Sequence, residues 1–174
     1  MTQLEPPSDL SVSDPSLVDS AFEILNYNQQ LIQFADSKAG NLIVINSLFI
    51  AAAQSGVASG GLALKLLQIM LVLTAGGALL LCLGVIMSRA YLPRMPRKDC
   101  IFFGDIAQRR NMNHFVRDFT ASSGQTHLED SLRRTYVLAL IASRKFSIYG
   151  WAQWLTAGAA FLWLTHSLLH LLVR

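Results

Sequence analysis

Three apolar stretches, residues 39–64, 66–88 and 146–173, contain no Asp, Glu, Lys or Arg, and they constrain this chain more than any other feature. A bilayer's hydrocarbon core takes about 20 apolar residues in a helix to cross. Inside lipid the backbone must satisfy its own hydrogen bonds, so such spans are helical. Hydrophobic residues make up 52% of the chain and charged residues 14%, which excludes an ordinary soluble helical protein. The length suits one compact unit. Residues 1–13 are polar, acidic and Pro-containing, and read as a disordered tail rather than a signal peptide.

The second and third stretches are strong. The third opens with Tyr149, Trp151 and Trp154, an interfacial aromatic belt. The first is weaker, because its apolar part, residues 42–53, is interrupted by Asn46; a re-entrant or interfacial segment is the alternative. Arg89, Arg94, Arg97 and Lys98 follow the second stretch, and Arg133, Arg134, Arg144 and Lys145 precede the third. Lys and Arg near span ends stay in the cytoplasm, which puts the middle loop and the N-terminus inside and the C-terminus outside. The N-terminal segment is acidic and the middle loop basic, so the two cytoplasmic parts are complementary.

Two of the spans extend out of the membrane as helices. Asp14-Pro15 is a helix start, and Leu17, Ala21, Ile24, Asn28, Leu31 and Ala35 follow at alternating spacings of four and three, widened by Leu25 and Ile32. Thr126-His127-Leu128-Glu129 fits a capping box, and Leu128, Leu132, Thr135, Ala139, Ala142 and Phe146 repeat the alternation. The two helices enter the membrane from the same side and are expected to pair as a parallel stalk. In that register Asp36 lies level with Arg144 and Lys145, an expected interhelix ion pair. Met112, Phe115, Val116 and Phe119 form the face of a short amphipathic helix capped by Asn111.

The fold expected is therefore an all-α membrane protein with three transmembrane helices, two of them extended into a cytoplasmic helical stalk, plus the amphipathic helix. Its parts are a tail (1–13), a cytoplasmic helix (14–38), the first span (39–58), the second (65–88), a cytoplasmic loop (89–125), a cytoplasmic helix (126–145) and the third span (146–173).

Catalytic signals are poor: no phosphate-binding glycine loop and no nucleophile motif occur, so an enzyme is not expected. Cys82 and Cys100 offer no disulfide framework, and His166 and His170 share a face without further ligands for a metal. Two sets of polar residues are candidates. Arg109, Arg110, Arg133 and Arg134 have the chemistry for a phosphate ligand, with attraction to anionic lipid as the plainer alternative. Asp36, Lys38, Asn41 and Asn46 lead from the inner interface into the first span and suggest a polar path or gate; helix cross-links and a snorkelling lysine are the alternative. Small residues recur at every fourth position in each span, as in Thr74, Ala78 and Cys82, and let helices approach closely. Three spans make no pore alone, so any channel needs several copies.

Phe34-Ala35-Asp36-Ser37-Lys38-Ala39-Gly40, leading into an apolar hairpin, resembles the ADTKA opening of the Pycsar transmembrane effectors (PycTM). Phe102-Phe103-Gly104-Asp105-Ile106-Ala107 resembles that family's FGDIA-like segment, and Arg144-Lys145-Phe146 its RKY-like start of the last span. Order and spacing agree over residues 16–172. Ser37 stands where Thr is usual, and Arg109-Arg110 where more neutral residues are expected. The resemblance implies an antiphage effector of the bacterial inner membrane. A partner pyrimidine nucleotide cyclase would supply a cyclic pyrimidine mononucleotide, cCMP or cUMP, and the effector would then impair the membrane. The resemblance carries over no ligand-contact residue. Other expectations are a homo-oligomer in contact with membrane lipid, with no further cofactor and no nucleic acid. The alternative is a non-conducting membrane anchor that recruits a soluble partner through residues 102–119.

Overall fold

The computed structural model describes residues 15–54, 61–88 and 100–172. The expected tail, the cap at Asp14, the outer turn at 55–60 and the basic, proline-broken stretch 89–99 lie outside them. The described residues form five helices and no strand: α1 (Pro15–Gln54), α2 (Leu62–Met87), α3 (Phe103–Ala107), α4 (Met112–Ala121) and α5 (Gly124–Leu172). α1 starts on proline, whose fixed φ suits a first helical turn, and meets no other proline. α4 is capped by Asn111, whose side chain accepts from the His114 N–H at 2.9 Å. α5 starts two residues before the expected Thr126 box. Ser123 is its cap, its hydroxyl accepting from the Thr126 N–H at 3.3 Å, while Glu129 pairs with Arg133 instead of reaching back.

The helices belong to two compact units. One holds α1 to Gln29, α3, α4 and α5 to Ala139; the other holds the rest of α1, α2 and the rest of α5. In the first unit the buried positions of α1 are Ala21 and Leu25, and those of α5 are Ser131, Arg134 and Val137. On α1 the expected stripe held both Ile24 and Leu25, and Leu25 is the one buried; on α5 Ser131 is buried where Leu132 was expected. Leu17, Ile24 and Leu132 are exposed. Hydrophobicity alone favours Leu132 over Ser131, and the helix phase decides against it.

In the second unit all three helices keep the four-and-three spacing of left-handed packing. Along α1 it runs through Ala35, Ala39, Leu42, Asn46, Phe49 and Ala53, along α2 through Leu71, Ala75, Ala78, Cys82 and Val85, and along α5 through Lys145, Tyr149, Ala152, Thr156 and Ala159. One core layer joins Ala39, Cys82, Val85 and Ala152, and a second joins Ala53, Leu71, Ala75 and Ala159. Asp36 meets Lys145 and Asn46 meets Thr156, so α1 and α5 run parallel and in register. Gln68 closes the other end by donating to the Ala53 carbonyl at 2.6 Å, one of the acceptors that α1 leaves open in its last turn.

This unit is packed inside out relative to a soluble bundle. Its buried residues are mostly small or polar, whereas Val44, Leu48, Leu73, Leu80, Trp151, Trp154 and Phe161 face outward. Lipid solvates such a surface, and close helix contact through small residues is how helices associate there. Among the described residues, two helices are long and apolar enough to cross a membrane, α2 with a mean hydropathy of 2.6 and α5 with 1.4 in its most apolar window. α1 falls short of that standard because Lys38, Asn41, Asn46 and Gln54 interrupt its apolar half.

Candidate functional site

A concave pocket of about 800 Å³ lies in the first unit, where the turn after α3, the helix α4 and the start of α5 converge. Its charged and polar lining includes Arg109, Arg110, His114, Asp118, Ser123 and Thr126, with Cys100 and Ala121 among its less polar surface. α4 places His114 and Asp118 one turn apart on the pocket side. Arg109 is largely buried and committed to the protein: Nη1 donates to the Asp118 carboxylate, Nη2 lies 3.4 Å from Cys100 Sγ, and the guanidinium sits 5.7 Å from the Phe115 ring centre. Arg110 is exposed at the same wall. Ser123 and Thr126 present hydroxyls 3.1 Å apart at the N-terminus of α5, where the helix dipole favours an anion. A cationic side chain and a helix N-terminus therefore face one cavity, with a carboxylate nearby able to accept from ring or amine N–H groups.

The four arginines read together from the sequence do not act together. Arg109 and Arg110 line the pocket; Arg133 and Arg134 do not. Arg133 lies on the surface of α5 and holds Glu129 at 2.5 Å. Arg134 is buried, its guanidinium carbon 3.5 Å from the centre of the Phe102 ring, a cation–π stack. The same ring lies over Gly104, where an added Cβ would come within 2.6 Å of Phe102 Cε1. Phe102 and Gly104 thus carry part of the FGDIA-like motif's packing, which a reading by charge overlooks. Sequence reasoning also missed Ser123, Thr126, His114 and Asp118. The short spacing of Asn111, His114 and Asp118 on one amphipathic helix was the signal available.

In the second unit the polar residues of the first span separate. Asn46 is buried and donates to Thr156 Oγ1 and to the Leu42 carbonyl, each at 2.8 Å; its Oδ1 has no partner among the described residues. Lys38 and Asn41 are exposed, Lys38 lying over the Phe34 ring. Within one protomer the four residues therefore do not share one side. Lys145 is buried and donates to Asp36 Oδ1 at 2.5 Å and to the Val85 carbonyl at 2.7 Å; Arg144 is exposed and takes no part. Val85 lies in the last turn of α2, so the ammonium fills an acceptor at a helix C-terminus, and one cation ties three helices.

A family model described as PycTM, the Pycsar effector protein domain, matches residues 20–172. The chain belongs to the PycTM family. The match runs from the second turn of α1 to the last residue of α5, so both the pocket of the first unit and the bundle of the second are parts of the PycTM domain. No curated protein and no solved structure matches the chain.

Proposed function

We propose that this PycTM protein is a receptor and effector in one chain. Its first unit binds a cyclic pyrimidine mononucleotide, cCMP or cUMP, made by a partner cyclase during phage infection. Its second unit then impairs the bacterial inner membrane. The family match carries this reading. The pocket supports its ligand half: Arg110 and the α5 N-terminus suit a cyclic phosphate, and Asp118 suits a base with N–H groups. Three spans, with α1 beyond Lys38 as the third, are supported by the outward Val44, Ile45 and Leu48 of that segment. The N-terminus is then cytoplasmic. The protein acts by rearrangement and not by catalysis: a nucleotide that prefers one arrangement of α4 and the start of α5 shifts the population toward it.

Calorimetry of the purified full chain against cCMP, cUMP, cAMP and cGMP tests the ligand, and membrane potential in cells given the same nucleotide tests the outcome. A pyrimidine cyclic nucleotide binds and depolarises cells. Arg110→Ala weakens binding by about tenfold or more, since a charged hydrogen bond contributes roughly 1.5–3 kcal/mol. Arg133→Ala leaves binding unchanged. No heat with any of the four, or an unaltered potential at saturation, overturns the reading.

A further inference from the structure

Each long helix of the first unit carries a second apolar seam, and this one faces outward. On α1 Leu17, Ile24 and Tyr27 are 41%, 48% and 60% exposed, and on α5 Leu132 and Tyr136 are 49% and 67% exposed. Leu17 and Ile24 are seven apart with Tyr27 three further on, and Leu132 and Tyr136 are four apart, spacings of one helix face, displaced by one residue from the buried positions Leu25 and Ser131. Lipid does not cover them. Exposed Asp19 and Glu23 lie beside the α1 seam and Glu129 and Arg133 beside the α5 seam, and such charges are costly in hydrocarbon.

We propose that these seams are the self-association surface of the protein, with α1 of one copy packing parallel to α5 of the next. Charge points to a second copy. The α1 seam is flanked by Asp19 and Glu23, with no Lys or Arg between residues 15 and 29, and the α5 seam by the Glu129–Arg133 pair, whose cation Glu23 of a second copy can share. Continuity points the same way, because α1 and α5 already pair parallel and in register within one chain in the second unit. Copies held in one bilayer share an orientation, which lowers the ordering cost of meeting side by side. The contact is heterologous, a seam on α1 against a different seam on α5, so it repeats from copy to copy. This deepens the proposed function by supplying the several copies a membrane lesion needs, and rests on it for the shared orientation alone.

The test uses the purified full chain in detergent, with mass measured by light scattering on a sizing column. The wild type runs as an oligomer, and Tyr27→Glu and Leu132→Glu each shift it to single protomers with helical circular dichroism unchanged. Glu23→Arg or Arg133→Glu alone weakens the oligomer at least several-fold, and the two together restore it. As a separate measurement, Tyr27→Cys copies mixed with Tyr136→Cys copies, both with Cys82→Ala and Cys100→Ser, form a disulfide-linked pair only when mixed. A monomeric wild type, an oligomer indifferent to the Glu substitutions, or no cross-link in an intact oligomer overturns the proposal. Nucleotide calorimetry on the same samples separates the two ideas. An oligomer without nucleotide affinity sinks the proposed function alone, and a monomer that binds nucleotide sinks this inference alone.

Discussion

Arg134 shows how a single residue's chemistry can mislead when its phase on a helix is unknown. Guanidinium chemistry suits phosphate, and four arginines in one basic loop invite that assignment. The structure buries Arg134 against the face of Phe102, while the ring's surroundings include Gly104. A side chain at 104 would push Phe102 off its stack, and the buried cation resists the shift. Gly104→Ala therefore destabilises the first unit by about 1–3 kcal/mol, the usual cost of overpacking, and lowers the melting temperature. Ala107→Ser, at an exposed position of the same motif, leaves it unchanged. Asn46 is a second case. Its polarity in an apolar stretch is legible in the sequence, and two readings follow from it, a path or a cross-link. The hydrogen bond to Thr156 Oγ1 at 2.8 Å makes it a cross-link in this structure. Thr156→Val removes that bond and costs about 0.6 kcal/mol, the average for polar contacts between membrane helices, read as a small shift in thermal unfolding.

At the scale of elements, the existence of every helix but α3 was plain in the sequence, and helix phase was not. The long runs of α1 and α5 without an internal proline, and the cap at Asn111, announce their helices. On α5 the phase error is one residue, because Leu132 is large and apolar while the buried Ser131 is small and polar; on α1 the expected stripe held both the exposed Ile24 and the buried Leu25. A seam chosen by hydrophobicity picks the larger residues, and those face outward here. The start of α5 is a similar contest between two capping patterns. Ser123 and Thr126 are both good caps, and the hydrogen bond from the Thr126 N–H to Ser123 Oγ settles it for Ser123. Ser123→Ala should cost about 1 kcal/mol, the usual value for a lost cap. Glu129→Ala should cost about 0.5 kcal/mol or less, because its pair with Arg133 is an exposed one between neighbouring turns. Equal losses from the two substitutions, measured by thermal melting followed by circular dichroism, would return the cap to Thr126.

For the molecule as a whole, the membrane-embedded half was the most legible part. Large apolar residues outside and small or polar ones inside follow from the composition of the spans. The charge that ties the bundle together was legible only in part. Asp36 and Lys145 are visible as opposite charges at one level, but the third partner is a backbone carbonyl of α2, which no side-chain pattern encodes. That third contact gives the expected consequence of losing Lys145. Under the proposed function, the protein must stay overwhelmingly in its closely packed form until signalled. Moving a population from 1:99 to 99:1 takes about 5.5 kcal/mol, so a resting bias of a few kcal/mol is the whole margin of safety. Removing one partner of a fully buried ion pair costs about 3–5 kcal/mol, and the cost is smaller here because the Asp36 side chain is 37% exposed and the Val85 carbonyl keeps the Ser88 hydroxyl as a donor. Lys145→Met strips the Asp36 carboxylate and the Val85 carbonyl of their shared donor and consumes about 1–3 kcal/mol of that margin. Cells expressing Lys145→Met should depolarise and stop growing without any cyclase or nucleotide. Arg144→Met, one position away and exposed, should leave growth normal. Normal growth of the Lys145→Met strain, with the protein at wild-type level in the membrane, would mean that this cation holds the bundle together without restraining its activity.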